Sequence, residues 1–219
     1  MKNNPTPDRL YQCAKELFYE KGYKKTSLTD ITCAAQVNKA LIKYYYDNKA
    51  NLAATVINEL NEKVRSTLLE KLDQLGIYPP DSILVGIEAY LFASFRKKNP
   101  NYRRFMRELC EDNVLLLSSE RLPMLYGFYR SVCTEFGITL TDVEIETYHY
   151  SLAFTLNGLI LMHDLGHIHC DHDQLANQEL EIFFRVLGIE SDARKKILQK
   201  SKEIVDRIEL SIEEHFEVE

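Results

Sequence analysis

What this sequence lacks limits its function before any motif is read. No stretch carries the ~20 consecutive apolar residues that a bilayer-spanning helix needs. The longest apolar run, 153–162, is interrupted by Thr155, Asn157 and Gly158. The opening MKNNPTPDRL has no apolar core, so no secretory signal is expected. The five cysteines (Cys13, Cys33, Cys110, Cys133, Cys170) are odd in number, scattered, and form no C-x-x-C pair. They read as reduced thiols, which places the protein in the cytoplasm. There is no Gly-rich phosphate loop, and no Ser/His/Asp or Cys/His spacing that suggests a nucleophile. Alternation of Val, Ile and Thr is scarce, so strands are not expected. No cofactor is expected either.

What is present reads as helix almost throughout, with apolar residues recurring at three and four. Charge is unevenly spread. Residues 1–50 hold nine Lys/Arg against five Asp/Glu, a net of +4, and the remaining 169 hold 18 against 28, a net of −10. A basic head on an acidic body points to a polyanion met by the head alone.

The head resolves into short helices. The first opens at Thr6-Pro7, shows Leu10, Ala14, Leu17 and Phe18 on one face, and stops at Gly22. Thr26 or Ser27 caps a second, with Leu28, Ile31 and Ala35 inward. Asn38 caps a third, NKALIKYYYDNK, and Asn48 a fourth that runs to about Leu75 before Gly76. In the third helix Leu41, Ile42 and Tyr45 share one arc of about 100°, while Lys39, Ala40, Lys43 and Tyr44 lie opposite and Tyr46 borders the inner face. A short helix with a core side and a basic, aromatic, otherwise small side fits a helix-turn-helix reader of the major groove. Lys49, at the first position of the fourth helix, would hold a phosphate together with the free backbone N–H groups there.

The run LFYEKGYKKTSLTDI followed by AAQVNKALIKYYYDNKANL resembles the DNA-binding domain of TetR-type (tetracycline-repressor-like) bacterial transcriptional regulators. The resemblance implies an all-α protein: a helix-turn-helix head over residues 1–50, then a helical effector-binding and dimerisation domain over 51–219. It implies that Thr26 and Ser27 touch a phosphate, that Asn38, Lys39 and Ala40 face base edges, and that Lys43, Tyr44 and Lys49 contact the backbone. Gln36 stands where the family usually has glycine, so either the turn differs or a non-glycine residue takes a left-handed conformation. Lys43 stands where tyrosine is commonest, and Leu41 where a small polar residue is usual. The function implied is repression from a palindromic operator by a homodimer, relieved by a small hydrophobic or aromatic effector that moves helix four.

Beyond residue 80 helices are expected over 80–98, from Tyr102 to about Leu117, from Arg121 to Phe136, from Asp142 to about Leu165, from Asp173 to Leu187, and from Asp192 onwards. The last has Ile197, Val205, Ile208 and Ile212 inward. By the resemblance, 142–165 and 173–187 form the dimer interface. Candidate effector contacts are Tyr90, Phe95, Phe105, Tyr126, Tyr129, Tyr148 and Phe154, any of which is also plain core. The segment MHDLGHIHCDHD, 162–173, permits three readings. His163 and His167, four apart, are metal-ligand candidates. His163-Asp164 suits a metal-dependent phosphohydrolase, but His149 lies too close upstream for that layout. The preferred reading is a polar helix end, with Gly166 as stop and Asp171 or Asp173 as the next cap.

Overall fold

A computed structural model describes residues 6–117 and 122–219, and over these the chain is all α. The helices are α1 (Thr6–Lys21), α2 (Leu28–Ala34), α3 (Ala40–Tyr46), α4 (Lys49–Gln74), α5 (Asp81–Lys98), α6 (Pro100–Glu111), α7 (Val114–Leu117), α8 (Leu122–Thr134), α9 (Asp142–Asp164), α10 (His172–Val186) and α11 (Ser191–Val205). A short 3-10 turn follows at Glu214–Phe216. Arg121, expected to open a helix, lies outside the described residues.

Local chemistry sets most of the boundaries. Three helices begin with reciprocal capping boxes: Ser27 with Asp30, Thr141 with Glu144, and Asp171 with Gln174. Asn99 accepts from the Asn101 and Tyr102 N–H groups ahead of Pro100, so α5 and α6 break where the asparagine and proline predict. Gly22, Gly76, Gly137, Gly166 and Gly188 all sit at positive φ just past helix ends.

Two expectations fail. The helix expected from Tyr102 to Leu117 is interrupted at Asp112-Asn113, where Asn113 takes φ +54° and leaves α7 as a separate turn. The last helix stops at Val205 and does not run on. Ile208, Leu210 and Ile212 are buried at every second position, and Ile212 pairs with Val218 in an isolated antiparallel bridge. The period changes from helical to extended within one apolar segment, and reading Ile208 and Ile212 as a helical pair missed it.

Two cores result. One joins α1–α7 to the C-terminal tail through Leu10, Phe18, Ile42, Leu52, Phe105 and Phe216; the other joins α5 and α8–α11 through Tyr129, Ile145, Leu180 and Phe184. Helix α5 belongs to both and packs against α10 and α11. Gly86 permits the closest approach: a Cβ there would lie 2.1 Å from Ser201 Oγ, which donates to the Ile83 carbonyl at 3.0 Å.

Candidate nucleic-acid interface

The α2–α3 unit is held from inside by few residues. Ile31 and Ile42 are fully buried, and the Tyr46 hydroxyl donates to the Pro7 carbonyl at 3.0 Å, tying α3 to α1. Gln36 takes φ +53° in the turn, so a non-glycine residue does adopt the left-handed conformation here. Asn38 Oδ1 accepts from the Ala40 N–H at 2.8 Å, which starts α3. Asn48 Oδ1 accepts from the Asn51 N–H at 2.8 Å, which starts α4.

Outward, Lys39, Ala40, Lys43 and Tyr44 form one exposed face, and Tyr44 is 79 % exposed. Tyr45, expected on the inner face, is also exposed, with its ring edge-on to Tyr44 at 4.8 Å. Ile42 and Tyr46 take the inner arc instead. Ser27 is exposed at the start of α2; its hydroxyl and N–H both donate to Asp30, whose carboxyl they hold below the usual carboxylate range.

Two sequence candidates point elsewhere. Thr26 is 0 % exposed, and its hydroxyl donates to the Gly22 carbonyl at 2.7 Å, closing the loop after α1. Burial removes that hydroxyl from reach of a phosphate. The Lys49 ammonium turns inward: it donates to the Tyr23 and Thr26 carbonyls at 3.0 and 3.2 Å and lies 4.1 Å above the Tyr23 ring. Its burial lowers its pKa from the ordinary lysine value. Lys49 thus staples the start of α4 to the α1–α2 loop, a role that residue spacing does not reveal.

The head is fastened to the body at two places. From α6, Arg104 donates to the Tyr19 and Glu20 carbonyls at 2.6 and 3.0 Å, capping the end of α1. Glu108, also on α6, accepts from the Lys24 N–H at 2.9 Å. From the tail, Phe216 (1 % exposed) packs against Tyr19, Tyr102 and Phe105, and Glu217 pairs with Lys15 at 2.5 Å.

An apolar cavity of about 320 Å³ lies among α5, α6, α9 and α10, lined by Val85, Phe92, Arg96, Tyr102, Met106, Asn157, Ile160, Glu179, Leu180 and Phe183, among others. None of the aromatic residues singled out from sequence lines it. Phe95 and Phe105 are core; Tyr129 is buried against Phe128 and Phe183. The Tyr90 hydroxyl donates to Asn177, and the Tyr126 hydroxyl to Glu146. Tyr148 packs, half-buried, on the second core, and Phe154 is 57 % exposed. Periodicity shows which side chains point inward, but a void depends on where helices fail to meet. Arg96, an arginine on the buried face of an apolar helix, needs a buried partner, and Glu179 supplies it.

The histidine segment forms a polar helix end. Gly166, at φ +78°, stops α9 and Asp171 caps α10. His163 Nε2 lies 2.9 Å from the Cys170 carbonyl, and its ring is 4.8 Å from that of His172. His167 sits in the exposed turn between α9 and α10. Among the described residues no three His, Cys, Asp or Glu side chains group as metal ligands, and no helix is long and apolar enough to cross a membrane.

Comparison with known proteins bears on this geometry. Residues 10–56 match the family described as "Bacterial regulatory proteins, tetR family". The "Probable HTH-type transcriptional regulator YttP" of Bacillus subtilis (strain 168) is 28 % identical over 112 residues, 51 % of this chain and 54 % of that protein. The "HTH-type transcriptional repressor DhaR" of Mycobacterium sp. (strain GP1) is 25 % identical over 79 residues, 36 % of this chain and 40 % of that protein. The chain spans about half the length of the curated relatives it matches, or less. Among solved structures, RolR in complex with resorcinol superposes with a TM-score of 0.60 at 15 % identity, covering 88 % of this chain and 92 % of that one, a likeness of fold. Over residues 10–56, which hold α2 and α3, this chain is therefore similar to the helix-turn-helix domain of TetR-family bacterial regulatory proteins.

Proposed function

We propose that this protein is a homodimeric, ligand-released repressor that reads a palindromic operator through α3. The observation that carries the reading is the exposed face of Lys39, Ala40, Lys43 and Tyr44 on a helix whose opposite side is locked by Ile42 and Tyr46. In this reading Lys39 and Lys43 neutralise phosphates, Asn38, Lys39 and Ala40 face base edges, Tyr44 packs on the sugar-phosphate backbone, and Ser27 contacts a phosphate. Thr26 and Lys49 hold the scaffold. Residues 1–50 form the DNA-binding unit, with the first turns of α4 completing its core through Leu52, Val56 and Ile57. Residues 51–219 bind the effector and dimerise.

One helix touches only a few base pairs, so specificity requires two heads. The surface that supports pairing is a stripe on α9: Val143, Tyr150 and Phe154 are exposed at helical spacing, and Gly158, one turn on, has no neighbour where a Cβ would be. Val186 on α10 is also exposed. The effector occupies the cavity described above; RolR, of the same fold, is solved with resorcinol. Its signal reaches the head through α6, because Tyr102 and Met106 line the cavity while Arg104 holds the end of α1 and Glu108 the loop that follows it. A ligand that favours one setting of α6 shifts the separation of the two heads.

The test is selection of bound fragments from random DNA by the purified protein at moderate salt. An enriched inverted repeat with half-sites a helical turn or more apart is the expected result. No enrichment, in protein refolded to strip any co-purified ligand, would overturn the reading.

A further inference from the structure

The cavity contains donors without acceptors, and that imbalance defines the chemistry of its guest. Arg96 is 4 % exposed, and its Nη2 reaches the two Glu179 oxygens only at 3.4 and 3.5 Å, the outer limit of a hydrogen bond. Arg96 Nε and Asn157 Nδ2 are buried and have no partner among the described residues. All three side chains line the cavity, whose remaining wall is largely apolar, Val85, Phe92 and Leu180 included.

A buried donor without a partner destabilises the protein, so a guest that brings an acceptor to it relieves that penalty. The Glu179 carboxylate has several lone-pair sites and, among the described residues, only the long contacts to Arg96, so the same guest gains by donating as well. Charge selects further. Arg96 and Glu179 oppose each other, an anion would meet Glu179 and a cation would meet Arg96, so a neutral guest is favoured. The space of about 320 Å³ holds roughly ten groups the size of water, which suits one substituted ring.

We propose that the effector is a small neutral hydroxyaromatic compound whose oxygen accepts from Arg96 Nε or Asn157 Nδ2 and whose O–H donates to Glu179. This rests on reading the cavity as the effector site. The test is titration calorimetry of the full chain with four matched probes: 4-methylphenol, anisole (acceptor only), toluene (neither donor nor acceptor) and benzoate (charged acceptor). The expected order of affinity is 4-methylphenol, anisole, toluene, benzoate, with at least tenfold between the first and toluene. Asn157→Leu keeps the Arg96–Glu179 pair and should cut the advantage of 4-methylphenol several-fold while leaving toluene unchanged. Glu179→Gln, which keeps an acceptor but removes its charge, should narrow the difference between 4-methylphenol and anisole. Benzoate or toluene binding as tightly as 4-methylphenol overturns the ligand class and leaves the cavity as the site. Binding that survives Ala89→Phe, which fills the cavity, overturns the site as well. No binding by any probe overturns the proposal.

Discussion

The exposed face of α3 and the wall of the cavity are both made of helix surface, yet they are assembled differently. Lys39, Ala40, Lys43 and Tyr44 come from one short helix, and only its inner neighbours Ile42 and Tyr46 need tertiary support. The cavity wall joins α5, α6, α9 and α10, and its ion pair links residues 83 apart in sequence. A surface can be built by local periodicity alone, whereas a void needs several helices held at a distance. The difference teaches that the head should tolerate changes on its outer face, while the body should respond to changes anywhere in its packing.

Four experiments break or sharpen that contrast. The largest effect is expected where head and body share a core. Phe216→Ala removes a ring packed on Tyr19, Tyr102 and Phe105 and should cost about 3–5 kcal/mol in urea unfolding. A cost below ~1 kcal/mol would mean that the tail is not part of the head's support. Next comes Gly86→Ala, which sets a methyl 2.1 Å from Ser201 Oγ and should destabilise by about 1–3 kcal/mol through the body alone. Unchanged stability would show that α5 and α11 can part without penalty.

The third experiment contrasts two lysines of the head. Lys43→Ala should leave stability within about 0.5 kcal/mol while weakening binding to every DNA sequence and reducing the salt slope by about one. Lys49→Met should instead cost about 1 kcal/mol of stability, because two carbonyls lose a charged donor. Equal salt slopes for the two variants would contradict the separation of roles.

The smallest effect is a difference in acid response. Burial lowers the pKa of His149, and burial with the neighbouring His163 lowers that of His172. Unfolding then takes up protons once the pH drops below the ordinary histidine value of about 6.5. Their contribution is therefore full above that pH and is lost as the pH falls through the folded values. In the head, Asp30 is held below its ordinary value by Ser27. Its contribution is present above about pH 3.9 and is lost only below that. Between pH 7 and 5.5, amide protection factors, which correct for the intrinsic slowing of exchange in acid, should fall in α9 and α10 before α2 and α3. The reverse order would place the acid-sensitive packing in the head.

Much of the fold was legible because its signals are local. Ser27, Asn38, Asn48, Thr141 and Asp171 start helices through their own side chains, and Gly22, Gly137, Gly166 and Gly188 end them through their freedom at positive φ. Tyr45 and Tyr46 were harder, since both lie near the edge of the apolar arc and only the position of α1, with the Pro7 carbonyl, decides which ring is buried. Ile208 and Ile212 satisfied a helical spacing and an alternating one equally until Leu210 was seen to be buried between them.

The sequence by itself determined an all-α chain, a basic helix-turn-helix head and the outward face of Lys39, Ala40, Lys43 and Tyr44 on α3, because caps, turns and amphipathic faces act within a few residues of one another. Only the tertiary structure decided that Thr26 is buried, that Lys49 binds carbonyls, that the tail closes onto α1, and that a cavity opens beside Arg96 and Glu179. Those outcomes depend on which helices meet and how closely, and helix contacts are set by the summed packing of residues far apart in the chain.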